Sequence, residues 1–345
     1  MASLSRSAVA RHDILDLRHF SASQLRPLLI EETEVWQRRL RWDYRTSAKL
    51  LLNYLDSRVL PGFVAIENRL PIGYIFCVYE QHKAVIGDVF AAATARDGDI
   101  QVEARLLEHT LELLQSTPGT QRIESQLLLH PRGRFHDVFT QAGFDIFPRV
   151  FMERELRHER VAGDLAVPAA LHLRPWQEID FGPAGRLIGH AYHAHLDSVI
   201  NDQYRTTAGS LRFLHNIVRF PGCGQFDPAS SMVLAHRDSE ELAGIVLCSR
   251  VSGDTGHVTQ LCIEPALRYR GLGRRLLLEC MQALAAEGMS YISLTVTESN
   301  TAALELYRKT GFQARHGFDA MVWQRGQGSR DTRPACAGTV SASGG

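Results

Sequence analysis

Six residues, Arg268 to Gly273, read R-Y-R-G-L-G, and their types suit the binding of a phosphate group. Two glycines let a backbone approach phosphate oxygens closely. If a helix starts at Gly271, its unpaired N–H groups and its dipole both favour an anion. Arg268, Arg270, Arg274 and Arg275 add positive charge on or beside the loop. Arginine binds phosphate through two parallel hydrogen bonds, so the cluster suits a pyrophosphate. Further along, Asn300 and Tyr307 are seven residues apart, followed by T-G-F. The spacing of the glycines differs from the dinucleotide-binding fingerprint, and the strands preceding the loop disfavour that fold. On its own, the loop also reads as a glycine turn capping a solvated, arginine-rich helix.

The elements that must carry these residues can be read from periodicity. Strands are expected at 171–176, 231–236, 242–250 and 256–263. Helical segments are expected at about 183–196 and 206–218. A helix starts at Gly271 and runs to about Glu287, with Leu272, Leu276, Leu277, Cys280, Ala283 and Leu284 on one apolar face. A strand at 291–296, a helix from Thr301 to Lys309 and strands near 312–315 and 319–324 follow. Strands giving way to strand–helix alternation indicate α/β architecture with a mixed sheet.

The same order occurs earlier in the chain. L-P-I-G-Y-I-F-C-V matches E-L-A-G-I-V-L-C-S, and Q-A-G-F matches K-T-G-F. Between these landmarks come a strand at 84–92, a long helix at about 101–115 and a strand at 123–129. The chain therefore reads as two copies of one fold. The first occupies 1–157, a linker 158–170, the second 171–326, and a small-residue tail 327–345.

The second copy resembles the GNAT superfamily of acyl-CoA-dependent N-acetyltransferases. Its R-Y-R-G-L-G matches the family motif Q/R-x-x-G-x-G/A, and S-N-T-A-A-L-E-L-Y-R-K-T-G-F places the family's Asn and Tyr. The resemblance is closest over 231–324 and extends over 171–324. It implies a central, mixed, mostly antiparallel sheet flanked by helices in each copy. It implies acetyl-CoA as co-substrate and a small-molecule or peptide amine as acceptor, attacked directly in a ternary complex. Backbone groups of Leu261, Cys262 and Ile263 would meet the pantetheine arm. Arg268, Tyr269, Arg270, Gly271, Leu272, Gly273 and Arg274 would hold the pyrophosphate. Asn300 would bind near the pantetheine, and Tyr307 would face the thioester sulfur as acid or hydrogen-bond donor.

An alkyl amine is neutral in roughly one molecule per 10³ at pH 7, so attack benefits from a base. His257, on the strand feeding the loop, is the first candidate, with Asp254 and Glu264 as alternatives. Cys262 reads as lining rather than nucleophile. The acceptor region contains a polar run in which His195, Asp197, Asn201 and Tyr204 are candidate substrate contacts. No metal is expected. His190 and His193 would share a helix face, but His195 would fall about 140° from His190.

Aligning the copies sets Arg268 opposite Asp97, Gly271 and Gly273 opposite Ile100 and Val102, Asn300 opposite Arg132, and Tyr307 opposite Phe139. A phenylalanine donates no proton, so the first copy reads as degenerate and non-catalytic. A non-catalytic acyl-CoA sensor or interaction module would keep the loop without needing Tyr307. A longer acyl donor or a different acceptor is compatible with the motif.

Composition agrees with this class. The 345 residues are 45% hydrophobic and 22% charged, and 38 basic residues balance 38 acidic ones. No basic footprint for nucleic acid or anionic membrane results. Six scattered cysteines suggest neither zinc nor a disulfide framework. With no apolar leader and no membrane-length apolar run, a soluble cytoplasmic protein is expected.

Overall fold

A computed structural model describes residues 12–96, 102–156, 166–219 and 224–326. The expected linker at 158–170 lies mostly outside these residues. The tail at 327–345, Asp97 and Ile100 lie wholly outside them.

The first half runs β1 (Asp13–Asp16), α1 (Ala22–Leu40), α2 (Arg45–Asp56), β2 (Gly62–Glu67), β3 (Leu70–Glu80) and β4 (Lys83–Ala91). A short α3 (Ala93–Arg96) precedes α4 (Val102–Ser116), β5 (Arg122–Gln126), α5 (His136–Gln141) and β6 (Asp145–Glu155). The second half repeats the pattern. It has β7 (Leu171–Pro175), α6 (Phe181–Ala191), α7 (Asp197–Ile200), α8 (Thr207–Arg219), β8 (Gln225–Phe226), β9 (Met232–His236), β10 (Leu242–Arg250) and β11 (Thr255–Ile263). Then come α9 (Leu272–Ala286), β12 (Tyr291–Thr297), α10 (Thr301–Lys309) and β13 (Gln313–Gln324).

Two sequence expectations change. The helix expected at 183–196 ends at Ala191, and a left-handed Ala194 (φ 59°) leads into the separate turn of α7. The two short final strands are one strand, β13, whose register slips between Ala314 and His316.

Strands from both halves form one sheet in the order β1-β2-β3-β4-β5-β13-β6-β12-β11-β10-β9-β7. The last strand of each half sits beside the other half. β13 pairs with β5, and β6 pairs with β12. The two exchanged strands also pair with each other along Gln313–Val322 and Asp145–Glu153. Each exchange covers an edge of unpaired backbone groups that would otherwise template association. The two copies therefore interleave in space rather than dividing at the linker.

The exchange is reinforced by charge. Lys83 and Arg122, both buried in the first half, meet Asp202 and Glu124: Lys83 Nζ is 2.7 Å from Asp202 and 3.1 Å from Glu124. Burial alone would lower the Lys83 pKa, but the two carboxylates outweigh it and leave it raised. Arg122 also donates to the carbonyls of Val199 and Ile200. The segment around α7, expected to shape an acceptor site, is thus anchored to the first half.

Candidate active site

The site opens where two parallel strands part. β11 and β12 are paired only from Thr255–Val258 to Tyr291–Leu294. Beyond Val258, the pairing of β11 with β10 slips by one residue, leaving Thr259 as a bulge. A bulge bends its strand and increases twist. Leu261, Cys262 and Ile263 therefore bond to β10 on one side and turn their other edge to a cleft. That edge suits an extended, amide-bearing arm.

The loop after β11 has the backbone geometry that suits an anion. Gly271 caps α9 with φ 78°, and Tyr269 is left-handed with φ 62°. A cavity of about 390 Å³ is lined here by Leu261–Ile263, Arg268, Tyr269, Gly271–Arg274, Asn300 and Tyr307. The structure thus brings together the residues expected around the arm and phosphate, with two departures. Arg270 is exposed and outside the lining. Arg268 turns inward, donating to the carbonyls of Ala191 and Ile263 (3.4 Å to the latter). It clasps the loop to α6 rather than extending a free guanidinium. Arg275 is engaged by Glu279, so Arg274 is the exposed loop cation that lines the cleft.

A second cavity, of about 250 Å³, adjoins the first. Asp197, Asn201 and Tyr204 line it, whereas His195 lines the phosphate-side cavity. His195 Nδ1 accepts from the backbone N–H of Asp197 at 3.1 Å, so its ring serves the local turn. His190 and His193 are exposed and line neither cavity. Among the described residues, no group of three His, Cys, Asp or Glu could hold a metal ion.

Tyr307 lines both cavities and is itself buried. Burial pushes its phenol above the ordinary value; nearby Asp197 adds to the shift and Arg149 opposes it. Asn300 caps α10, its side chain accepting from Ala303 N–H at 3.2 Å. That bond fixes the first turn that presents Tyr307. Burial also pushes the Cys262 thiol up to about 12, which removes it as a nucleophile at neutral pH.

The base reading of His257 needs correction. His257 does line the second cavity, but Trp42 from the first half lies 4.9 Å from its ring and Phe151 stacks at 6.1 Å. Its Nδ1 is 2.9 Å from Ser293 Oγ. Burial, with a contribution from Arg149, pushes its pKa to about 3. Taking a proton from an ammonium near 10.4 would then be uphill by roughly 7 units, or roughly 10 kcal/mol. The two alternatives lie elsewhere. Asp254 is tied to Ser252 and Thr255 at the far end of β11, and Glu264 is 3.6 Å from His236, outside both cavities.

Three site residues escaped the sequence reading. Tyr192, at the end of α6, donates towards Gln260 (3.2 Å) and the Leu261 carbonyl (3.3 Å), closing the wall between the cavities. Gln126 and Arg149 come from the first half and reach the pocket through the strand exchange. Their sequence distance hid them. The aromatic residue following the helix that contains His190 was the available signal for Tyr192.

Residues 195–312 match the model of the acetyltransferase (GNAT) family. The second half carries a GNAT-family domain over these residues. Over 100 residues the chain is 37% identical to a mycothiol acetyltransferase of Gordonia bronchialis, covering 28% of this chain and 32% of that one. A mycothiol acetyltransferase of Clavibacter michiganensis subsp. michiganensis is 33% identical over 152 residues, 44% of this chain and 45% of that one. The chain thus matches less than half the length of these curated relatives. Solved structures extend the fold across both halves. A GCN5-related N-acetyltransferase from Sphaerobacter thermophilus covers 91% of this chain and 96% of its own, at TM-score 0.63 and 15% identity. A tandem GNAT protein from the clavulanic acid biosynthesis pathway covers 92% and 100%, at 0.59 and 12%. The GNAT fold is therefore present in tandem, as an α/β architecture with mixed sheet and flanking helices. Among the described residues, no helix is long and apolar enough to cross a membrane.

Proposed function

We propose that the chain transfers an acetyl group from acetyl-CoA to a primary amine by direct attack in a ternary complex. The observation that carries this reading is the junction of two cavities at Tyr307. One cavity has the strand edge and glycine loop suited to a pantetheine pyrophosphate. The other has polar side chains suited to a small acceptor, and Tyr192, Leu261, Asn300, Ala303 and Tyr307 line both.

The chain's residues divide the work as follows. The Leu261–Ile263 edge and the N–H groups at Gly271–Arg274 hold acetyl-CoA, which supplies the activated acetyl group. Residues of the acceptor pocket place the amine nitrogen against the thioester carbonyl, recovering much of the entropy lost in a bimolecular encounter. As the C–N bond forms and the C–S bond breaks, Tyr307 donates a hydrogen bond to the departing sulfur. A phenol of ordinary pKa would already be about 1.5 units too weak to protonate a thiolate fully. Burial raises Tyr307 further. Its role is therefore hydrogen-bond stabilisation, with the thiolate taking its final proton from solvent. His257, neutral at working pH, packs the pocket wall and anchors Ser293. The ammonium loses its proton through the polar side of the pocket, where Asp197 is the carboxylate.

A screen of primary amines with thiol-release detection tests this. Tyr307→Phe should lower kcat by about 10- to 100-fold and leave CoA affinity within about twofold. Unchanged kcat removes Tyr307 from the chemistry. CoA binding without thiol release for any amine would leave an acyl-CoA-binding module instead.

A further inference from the structure

The acceptor pocket contains two opposite charges that do not neutralise each other. Arg149, on β6, uses its terminal nitrogens on Gln126 and on Thr295 (3.3 Å). Its Nε is buried and has no hydrogen-bond partner among the described residues. Its guanidinium carbon lies 5.7 Å from the centre of the Phe318 ring. Across the pocket, Asp197 accepts from Thr297 at 2.6 Å and is 3.5 Å from His195 Nδ1. That nitrogen accepts from the Asp197 backbone N–H and carries no proton there, and burial pushes the His195 pKa down. His195 is therefore no counter-ion.

A guanidinium whose Nε is buried without an acceptor is costly. So is a carboxylate without a cation. Both line the same cavity of about 250 Å³, which suits a compact molecule. A ligand with its own positive and negative groups would satisfy both at once. We propose that the acceptor is an amino acid-like zwitterion, its carboxylate held by Arg149 and its amine presented on the Asp197 side. This rests on the acetyl-transfer reading of the same site. It also gives the first half a direct part in specificity, because the exchanged strand β6 brings Arg149 into the second half's pocket. The reaction balances simply. The ammonium releases a proton, its nitrogen takes the acetyl group, the C–S bond breaks, and the CoA thiolate is protonated.

The test compares three sets of acceptors in the thiol-release assay with the full chain: the twenty proteinogenic amino acids, their primary amides, and the matching decarboxylated amines. The expected result is a kcat/KM preference of at least about tenfold for one or more free amino acids over their amides and decarboxylated counterparts, the scale of a charge-assisted hydrogen bond. Arg149→Gln should reduce that ratio towards one, mainly through KM for the free acid, and Arg149→Lys should restore part of it. Calorimetric CoA binding by each variant reports an intact second half. Equal use of acids and amides by the wild type overturns the proposal even if Arg149→Gln does not fold. So does an Arg149→Gln variant that binds CoA and keeps the full preference. Absence of thiol release with every amine, despite CoA binding, overturns the acetyl-transfer reading itself.

Discussion

The two copies share a backbone device and differ in what fills it. In each, a parallel pair of strands holds for four residues and then parts: β4 with β5 over Lys83–Ile86 and Arg122–Ser125, β11 with β12 over Thr255–Val258 and Tyr291–Leu294. In each, the preceding hairpin slips by one residue, at Gly87 in the first copy and Thr259 in the second. Beyond the second slip lies an open cleft. Beside α5 in the first copy, Phe139 is fully buried, edge-on to Phe144 at 5.1 Å, and the neighbouring void is about 10 Å³. The residue after the first bulge is Asp88, where the second copy has Gln260. Burial and nearby Glu32 push the Asp88 carboxyl well up, while Tyr74 donates to Glu32. A larger cavity of about 650 Å³ does open in the first half, between α1, α2 and β3, but its walls are chiefly apolar and aromatic and lack a glycine loop. Splayed strands are thus a permissive frame. In the second copy glycines, a tyrosine and open space accompany that frame.

Substitutions can break this contrast. The largest effect is expected from Gly271→Asp, which strains a φ of 78° and sets an anion where phosphate would bind. CoA affinity, measured by calorimetry, should fall by at least about 100-fold, given loss of several charge-assisted hydrogen bonds. Retained affinity would remove the loop from the account. Its counterpart, Phe139→Ala, should cost about 3–5 kcal/mol of unfolding free energy in denaturant titration. CoA affinity of the molecules still folded should not change.

Lys83→Met tests whether the first half scaffolds the second. It leaves Glu124 and Asp202 with Arg122 alone of the two cations they share, at a cost of about 1.5–3 kcal/mol. Because Asp202 adjoins the acceptor segment, KM for the amine should rise several-fold more than Kd for CoA. Equal changes would show a general loss of folding only.

Acid stability has a definite sign. His257 and His130 are held at about 3 and about 4 in the fold, below an ordinary value of 6.5. Between those limits the unfolded chain binds more protons, so stability rises with pH up to about 6.5 and is lost as pH falls. Replacing His257 with Gln should flatten that loss in thermal melts by on the order of a few kcal/mol. A rate profile of the wild type should show no His257 limb near pH 6.5. A limb there that vanishes in His257→Gln would restore its base role. The smallest effects belong to His190→Ala and His193→Ala, exposed and outside both cavities, which should alter kcat/KM by less than about twofold.

How much was legible in the sequence followed from how local the cause was. The glycine loop, the helix it opens and the Asn300–Tyr307 pair are set by contiguous residues, and their periodicity and capping were readable. The duplication was readable from repeated glycine landmarks. The strand exchange was not, because either terminal strand can satisfy either edge, and local pattern does not choose between them. For the same reason Gln126 and Arg149, which belong to the first copy, were missed. His257 looked like a base because its strand position was visible, whereas its cover, Trp42, came from the other half. Arg268 looked like a phosphate ligand until the carbonyls of Ala191 and Ile263 showed where its guanidinium points.

We propose that the cleft at Gly271–Arg274 takes acetyl-CoA and that the first copy has no equivalent site. Calorimetric titration of the full chain with CoA tests it most directly. The account predicts one site per chain, lost in Gly271→Asp and preserved in folded Phe139→Ala. Two equivalent sites, or one site that survives Gly271→Asp, would contradict it.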